Sequence, residues 1–114
     1  MTSLFTPLEL GRYTLNNRVT MAPLTRQRAG HSGVPSELHK KYYSQRASAG
    51  LVVTEGTFPA WTNRAFPGQA GIVDDEQAAG WREVANEVHE GPNPGKWTRG
   101  FNQDAIVSVA DPAA

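Results

Sequence analysis

The sequence predicts an α/β domain in which parallel strands alternate with helices. Two short apolar segments of strand character, residues 19–22 and 51–56, are each followed by a stretch with helical spacing, the first over 35–49 and the second after Asp74. A strand–helix–strand–helix order predicts neighbouring parallel strands joined by right-handed crossovers. At 114 residues, the chain has room for one domain at most.

The composition argues against several classes of function. Eleven basic and eleven acidic residues give a formal charge of zero, and no basic stripe is present, so we expect no nucleic-acid partner. The absence of cysteine excludes disulfides, a thiolate metal site and a cysteine nucleophile, and the three histidines have no ligand spacing. No apolar run is long enough to span a bilayer, and the N-terminus does not resemble a signal peptide, so we expect a cytoplasmic protein.

The first third of the chain predicts an extended lead, a strand and a loop. Residues 4–17 place Gly11 between short apolar runs, which is typical of a small hairpin. Residues 19–22 form the first strand, which Pro23 ends because a proline cannot donate a ladder hydrogen bond. Residues 25–33 follow as a loop.

The first helix is predicted to begin at Pro35 and Ser36, since proline suits the first turn and serine can cap it. Gly50 follows the last periodic residue and predicts a left-handed cap. Four residues share the predicted inner face, with Tyr43 and Ala47 beside them: Leu38, Tyr42, Gln45 and Ala49.

The second strand, residues 51–56, is continuously apolar at its start, which predicts burial on both faces. A long loop follows over 57–73. Its aromatic residues Trp61 and Phe66 are equally compatible with covering the loop and with lining a pocket.

The second helix is predicted to start with a capping box formed by Asp74 and Gln77. One face is apolar and the other polar. The predicted inner residues are Ala78, Trp81, Ala85 and Val88, and the outer ones are Arg82, Glu83, Asn86 and Glu87.

The character of the sequence changes after His89. Glycine and proline over residues 91–95 argue against regular structure there. Residues 106–110 are compatible with one strand, and residues 111–114 with an unstructured end.

Ligands of parallel α/β proteins bind at the carboxyl ends of the strands, where Thr25 and Arg26 lie. Taken from the residues alone, a Thr25 hydroxyl that satisfies a backbone group at the strand end is favoured over one that contacts a ligand. We expect Arg26 and Arg28 to be solvated or ion-paired. Glu55, at the end of the second strand, is compatible with a catalytic base, although one carboxylate is weak evidence.

Several stretches together resemble the N-terminal part of the old yellow enzyme family, which comprises FMN-dependent ene-reductases built on a TIM barrel. The resemblance covers about residues 4–89 and implies a partial (β/α)8 barrel, consisting of the lead and the first two of eight βα units. The stretches are LFTPLELG, NRVTMAPLTRQRA, GVPSELHKKYYSQRASAGLVVTEGT, PGQAGIVDDEQAAGW and VANEVH.

The resemblance implies a set of cofactor and substrate contacts, residue by residue. Pro23, Leu24 and Thr25 would touch the isoalloxazine ring, with the Thr25 hydroxyl donating to the flavin C4 carbonyl oxygen. The backbone of Gly56 would approach the ring. Phe66 matches a tyrosine that lines the substrate pocket in many relatives, so an aromatic wall without the hydroxyl is expected.

The implied activity is hydride transfer from NADH or NADPH through FMN to an activated alkene. No catalytic residue of the family can be matched, so we expect residues 1–89 to be the N-terminal portion of such a barrel and residues 90–114 a divergent tail. On this interpretation the 114 residues alone are weakly active or inactive. The alternative is a non-catalytic interaction module that forms homo-oligomers or docks on the rest of a barrel, because open strand edges invite pairing.

Overall fold

The computed structural model describes residues 3–89, 95–99 and 106–110. It contains six strands, two α-helices and a short 3-10 turn over Trp61–Asn63. The strands are β1 (Leu8–Leu10), β2 (Tyr13–Leu15), β3 (Thr20–Met21), β4 (Leu51–Val53), β5 (Gly95–Arg99) and β6 (Ile106–Ala110), and the helices are α1 (Glu37–Ser44) and α2 (Asp75–His89).

The N-terminal lead folds as the predicted hairpin. Strands β1 and β2 pair antiparallel, and Gly11 occupies the turn with a φ of 59°, a left-handed conformation that costs glycine little. The Arg18 side chain fixes the start of the lead, because its Nη2 donates to the Pro7 carbonyl over 3.1 Å.

The predicted parallel pairing of the first two core strands is confirmed. Strand β3 lies parallel to β4, with Thr20 opposite Leu51 and Met21 opposite Val52. The sheet continues beyond β4 in the order β3-β4-β6-β5, with antiparallel pairing at both further steps. These four strands therefore form an open, mixed sheet, and the described strands do not close a barrel.

The strand predicted over residues 106–110 is confirmed as β6, whereas β5 was not predicted. Strand β5 was missed because glycines and prolines precede Lys96, and such residues normally interrupt strands. Pairing with β6 stabilises Gly95–Arg99 as a strand, although the local sequence does not predict one. The prediction that residues 91–95 are irregular is wrong at Gly95, which begins β5, and residues 91–94 and 111–114 lie outside the described residues.

The hydrophobic core joins both helices to β4. Trp81 of α2 is buried, and its indole N–H donates to the Gly71 carbonyl over 3.1 Å, so the polar edge of this large ring is satisfied. The core cluster consists of Ala29, Tyr43, Ala47, Val52, Ala70, Trp81, Val84 and Val88.

Helix α1 begins after Ser36 as predicted, but its buried face and its end differ from the prediction. Its buried side chains are His39 and Tyr43, while Leu38 is 57% exposed. The helix is rotated relative to the hydrophobic pattern because His39 finds hydrogen-bond partners inside the protein. The regular helix stops at Ser44, and turns cover the residues up to Gly50.

Gly50 does not adopt the predicted left-handed conformation; its φ is not among the positive ones. Its role is close approach. The Gly50 N–H donates to Asn17 Oδ1 over 2.8 Å, and a Cβ at this position would lie 2.1 Å from the Asn17 carbonyl oxygen. Asn17 therefore ties the end of the lead to the start of β4 across a gap that only glycine leaves open.

Helix α2 follows its prediction. The Gln77 N–H donates to Asp74 Oδ1 over 2.8 Å, and Gln77 Oε1 accepts the Asp74 N–H over 3.4 Å, so the capping box is confirmed. Trp81, Ala85 and Val88 are buried, and Ala78 is half-buried. Within the described ranges, no helix is both long and apolar enough to cross a membrane.

The two glycines at the ends of β4 make a matched pair for a stability test. Gly50→Ala is expected to lower the free energy of unfolding by about 1–3 kcal/mol, because the added methyl overlaps the Asn17 backbone. Gly56→Ala is the control, since a Cβ there meets nothing within 4 Å. Urea unfolding measures both, and equal stability of the two variants would contradict the close-approach role of Gly50.

Candidate functional site

The candidate site lies at the carboxyl ends of β3 and β4. Because the two strands are parallel neighbours, the segments that follow them leave the sheet at the same edge. Pro23 and Leu24 are exposed after β3, with Leu24 at 55%, and Thr25 is half-buried. Gly56, after β4, is also half-buried.

Two groups at this edge are available for contact with a ligand, namely the Thr25 hydroxyl and the backbone of Gly56. Among the residues that the structure describes, none forms a hydrogen bond with the Thr25 hydroxyl. A Cβ added at Gly56 would meet no described residue within 4 Å, and the backbone of Gly56 is not in the left-handed region. Neither packing against the described residues nor backbone conformation therefore explains a glycine at this position.

The peptide of Gly56 is fixed by a buried glutamine. Gln69 donates from Nε2 to the Gly56 carbonyl over 3.1 Å, and its Oε1 accepts the Ala65 N–H over 2.8 Å. Both ends of the buried amide are thus used in holding the long loop against the strand end. Gln69 was not identified from the sequence, because a single glutamine between glycine and alanine forms no pattern.

Glu55 precedes Gly56 and points into the protein. Its side chain is 0% exposed, and each carboxylate oxygen has a donor: His39 Nε2 at 3.1 Å from Oε1, and the Tyr43 hydroxyl at 2.8 Å from Oε2. The Tyr43 oxygen also accepts the backbone N–H of Glu55 over 2.8 Å. The end of β4 is therefore joined to α1 by three hydrogen bonds that water does not reach.

The contacts of His39 assign its protonation state. Nδ1 accepts the backbone N–H of Ser36 over 3.0 Å, so this nitrogen carries a lone pair and the proton resides on Nε2. The ring is then neutral and donates to Glu55, which makes the contact a hydrogen bond and not an ion pair. His39 thereby satisfies the N-terminus of α1 and the end of β4 with one ring.

Burial raises the pKa of the Tyr43 hydroxyl, and the nearby Glu55 carboxylate raises it further. The phenol therefore remains protonated and serves as a donor to that carboxylate. The interpretation of Glu55 as a catalytic base is wrong for this structure, since a carboxylate without solvent exposure and with both oxygens occupied cannot reach a substrate.

Phe66 lies in the wall of an open groove of about 670 Å³, which Gln27, Gly30, Arg64 and Gly68 also line. Its ring is 47% exposed. Trp61 instead packs on Phe58, with 5.0 Å between ring centroids, so it covers the loop.

Arg28 is exposed, which agrees with the expectation of a solvated arginine, and Arg26 is half-buried; neither forms an ion pair within the described residues. The Arg26 guanidinium lies 5.2 Å from the centre of the Tyr42 ring, and Arg28 donates to the Arg26 carbonyl over 2.9 Å. In the part of the chain that the structure covers, no group of three or more acidic or histidine side chains is placed to hold a metal ion.

Comparison with known proteins gives consistent matches. Residues 3–93 match the model of the NADH:flavin oxidoreductase / NADH oxidase family. A chanoclavine-I aldehyde reductase of Penicillium roqueforti is 46% identical over 91 residues, which cover 78% of this chain and 25% of that protein. A probable flavin mononucleotide-dependent alkene reductase of Leishmania infantum is 39% identical over 95% of this chain and 32% of that protein.

Among solved structures, the old yellow enzyme homologue of Zymomonas mobilis superposes with a TM-score of 0.75 at 43% identity, over 78% of this chain and 25% of that one. The chain spans about a quarter of the length of the first three curated relatives.

Removal of the Tyr43 hydroxyl tests the network around Glu55. Tyr43→Phe is expected to lower the free energy of unfolding by about 1–3 kcal/mol, because a buried carboxylate oxygen and the Glu55 N–H both lose their partner. Tyr13→Phe is the matched control, since among the described residues its hydroxyl has the surface residue Arg12 as its hydrogen-bond partner. Chemical denaturation measures both, and equal effects would contradict the network.

The raised pKa of Tyr43 predicts a loss of stability in alkali. Below the pKa of an unfolded tyrosine, about 10, the hydroxyl is neutral in both states and its full contribution is present. Above that pH the unfolded phenol ionises while the folded one does not, so unfolding becomes easier. The difference in stability between wild type and Tyr43→Phe should therefore shrink above about pH 10, and a constant difference across that range would contradict the assignment.

Proposed function

The chain belongs to the NADH:flavin oxidoreductase / NADH oxidase family, and on this premise we propose that its strand-end segments form one wall of an FMN site. The observation that carries the proposal is the parallel pairing of β3 and β4. It brings a segment with a free hydroxyl and a segment with a bare backbone to one edge of the sheet. The register sets Thr20 level with Leu51 and Met21 level with Val52, so the segments that carry Thr25 and Gly56 follow paired strand ends.

Thr25 is proposed to donate its hydroxyl to the C4 carbonyl oxygen of the flavin. A donor at this oxygen stabilises the negative charge that the ring gains on reduction, which favours the reduced state. The half-buried position of Thr25 supports this role, because a hydrogen bond shielded from water is stronger than one at the surface.

Gly56, Pro23 and Leu24 are proposed to contact the flat isoalloxazine ring. The open space over Gly56 leaves room for a ring to lie against the peptide. Exposed Leu24 and Pro23 offer apolar contact on the neighbouring segment. The hydrogen bonds of Gln69 and of the Glu55 network keep this peptide fixed, so that little ordering is needed on binding.

FMN, when bound, supplies hydride transfer from NADH or NADPH to an activated alkene. The chain's own part is to bind and orient the ring at the strand ends, and Phe66 is proposed to contribute an aromatic wall for the small-molecule substrate. The Phe66 ring is half-exposed and lines the open groove of about 670 Å³ that Arg64 also lines, which supports that role.

The 114 residues by themselves are proposed to bind FMN weakly and to turn over little substrate. They span about a quarter of the length of the first curated relatives. If the chain alone gives a stoichiometrically yellow protein that reduces 2-cyclohexenone with NADH or NADPH, this part of the proposal is wrong.

A non-catalytic interaction module is the second candidate. Within the described sheet, β3 has β4 as its one neighbour, and Phe5 and Val19 are exposed beside this edge. A second copy of the chain or the rest of a barrel would cover these groups. Sedimentation combined with flavin titration separates the two candidates, because a stable oligomer without FMN affinity favours the module.

Substitution of Thr25 tests the flavin contact directly. Thr25→Ala is expected to weaken FMN binding about fivefold, the equivalent of about 1 kcal/mol for one hydrogen bond. Thr25→Ser keeps the hydroxyl and serves as the control. Quenching of flavin fluorescence gives both affinities, and equal losses in the two variants would contradict donation by the hydroxyl.

Substitution of Gly56 tests the open space. Gly56→Val is expected to abolish measurable FMN binding while the chain stays folded, because the added side chain occupies room that the protein itself does not use. Circular dichroism confirms the fold and fluorescence titration reports the affinity. Unchanged affinity in Gly56→Val would place the ring elsewhere.

A further inference from the structure

A separate cleft lies beside α1 and has no part in the proposed flavin wall. It encloses about 230 Å³, and its walls include three cationic side chains, from Arg26, Arg28 and Lys41. Leu38 and Tyr42 add an apolar portion, and Leu38 is more than half exposed although it is a large aliphatic residue. A single exposed leucine is ordinary on a protein surface, so the concentration of positive charge in the cleft is the feature that requires an explanation.

The three cations of this cleft lack carboxylate partners. Among the described residues, no aspartate or glutamate lines the cleft, and none of the three cations forms an ion pair. The adjacent Lys40 shows the contrast, because its ammonium pairs with Glu37 at 2.8 Å and with Glu83 at 2.9 Å. Positive charge is thus concentrated on one side of α1 in a chain whose formal charge is zero.

The arginines around the cleft are held by neutral groups, which orders them without neutralising them. Arg28 Nη1 donates to the Arg26 carbonyl over 2.9 Å, and the Arg26 guanidinium lies 5.2 Å from the centre of the Tyr42 ring. Arg46 lies 4.2 Å from the same ring. A guanidinium has five N–H donors, so most of those on Arg26 and Arg28 stay available for an anion.

We propose that this cleft binds the phosphate group of a small phosphorylated molecule. Two guanidinium groups offer forked donors that match phosphate oxygens, and the Lys41 ammonium adds a point charge. Three positive charges balance the dianion or trianion of a phosphate or diphosphate better than they balance a single carboxylate. The inference does not depend on the flavin proposal, because neither Thr25 nor Gly56 lines the cleft.

The test uses the full ¹⁵N-labelled chain and pyrophosphate as the probe. At an ionic strength of about 0.01 M, where screening is weak, titration should give saturable amide shifts at Leu38, Lys41 and Arg28. The double variant Arg28→Gln/Lys41→Gln should weaken binding at least about tenfold. Arg82→Gln removes an exposed cation from α2 and should change the affinity less than about twofold.

The single variant Lys41→Gln is included because it should stay folded: the Lys41 side chain donates no hydrogen bond within the described residues. It should lower the affinity by itself, and added salt should lower it further in the wild type. The absence of saturable shifts at Arg28 and Lys41 would overturn the proposal, as would equal weakening in the double variant and in Arg82→Gln.

The source of the phosphate is distinguished by titrating NADPH and NADH into the same chain. Tighter binding of NADPH, with a preference that vanishes in Arg28→Gln/Lys41→Gln, supports the phosphate monoester of a nucleotide as the ligand. Equal and weak binding of both dinucleotides, together with saturable pyrophosphate binding, supports a free anion.

Discussion

A carboxylate that water does not reach lies between α1 and β4, and the rest of the structure accommodates it. Moving an unpartnered carboxylate out of water costs several kcal/mol, so Glu55 is tolerated only with a donor at each oxygen. His39 and Tyr43 supply those donors from one face of α1. The same two residues thereby fix the rotation of the helix and the position of the strand end that leads into Gly56.

This constraint explains where the sequence predicted the fold and where it did not. The order of strands and helices, the parallel pairing of β3 with β4 and the cap of α2 follow from patterns of period and spacing. The buried face of α1 does not follow from such patterns. A hydrophobic pattern treats His39 as a polar, exposed residue, whereas its hydrogen bond to Glu55, sixteen residues further along the chain, makes the burial of His39 favourable. The role of Gly50 escaped prediction for the same reason: its close neighbour Asn17 is distant in sequence.

The residues of the candidate site also differ in whether the sequence predicted them. Thr25, Gly56 and Phe66 were selected by resemblance to a family, and local sequence alone left Thr25 as an ordinary strand-end residue. Gln69, which holds the Gly56 carbonyl, was missed, because its importance arises from where the long loop returns to the strand end. Resemblance to a family therefore identifies residues proposed to contact a ligand more readily than the side chains that hold the backbone behind them.

Helix α1 separates two kinds of electrostatic environment. On its buried side, neutral donors satisfy a single anion, and the histidine stays uncharged because Ser36 occupies its second nitrogen. Beside its exposed Leu38, cations are held by carbonyls and an aromatic ring, so their charge is not cancelled. The neutral total charge of the chain conceals this segregation. Because the buried network fixes the helix, it also fixes the Tyr42 ring and Lys41 on the adjacent face, so the geometry of the cationic cleft depends on the carboxylate that lies behind it.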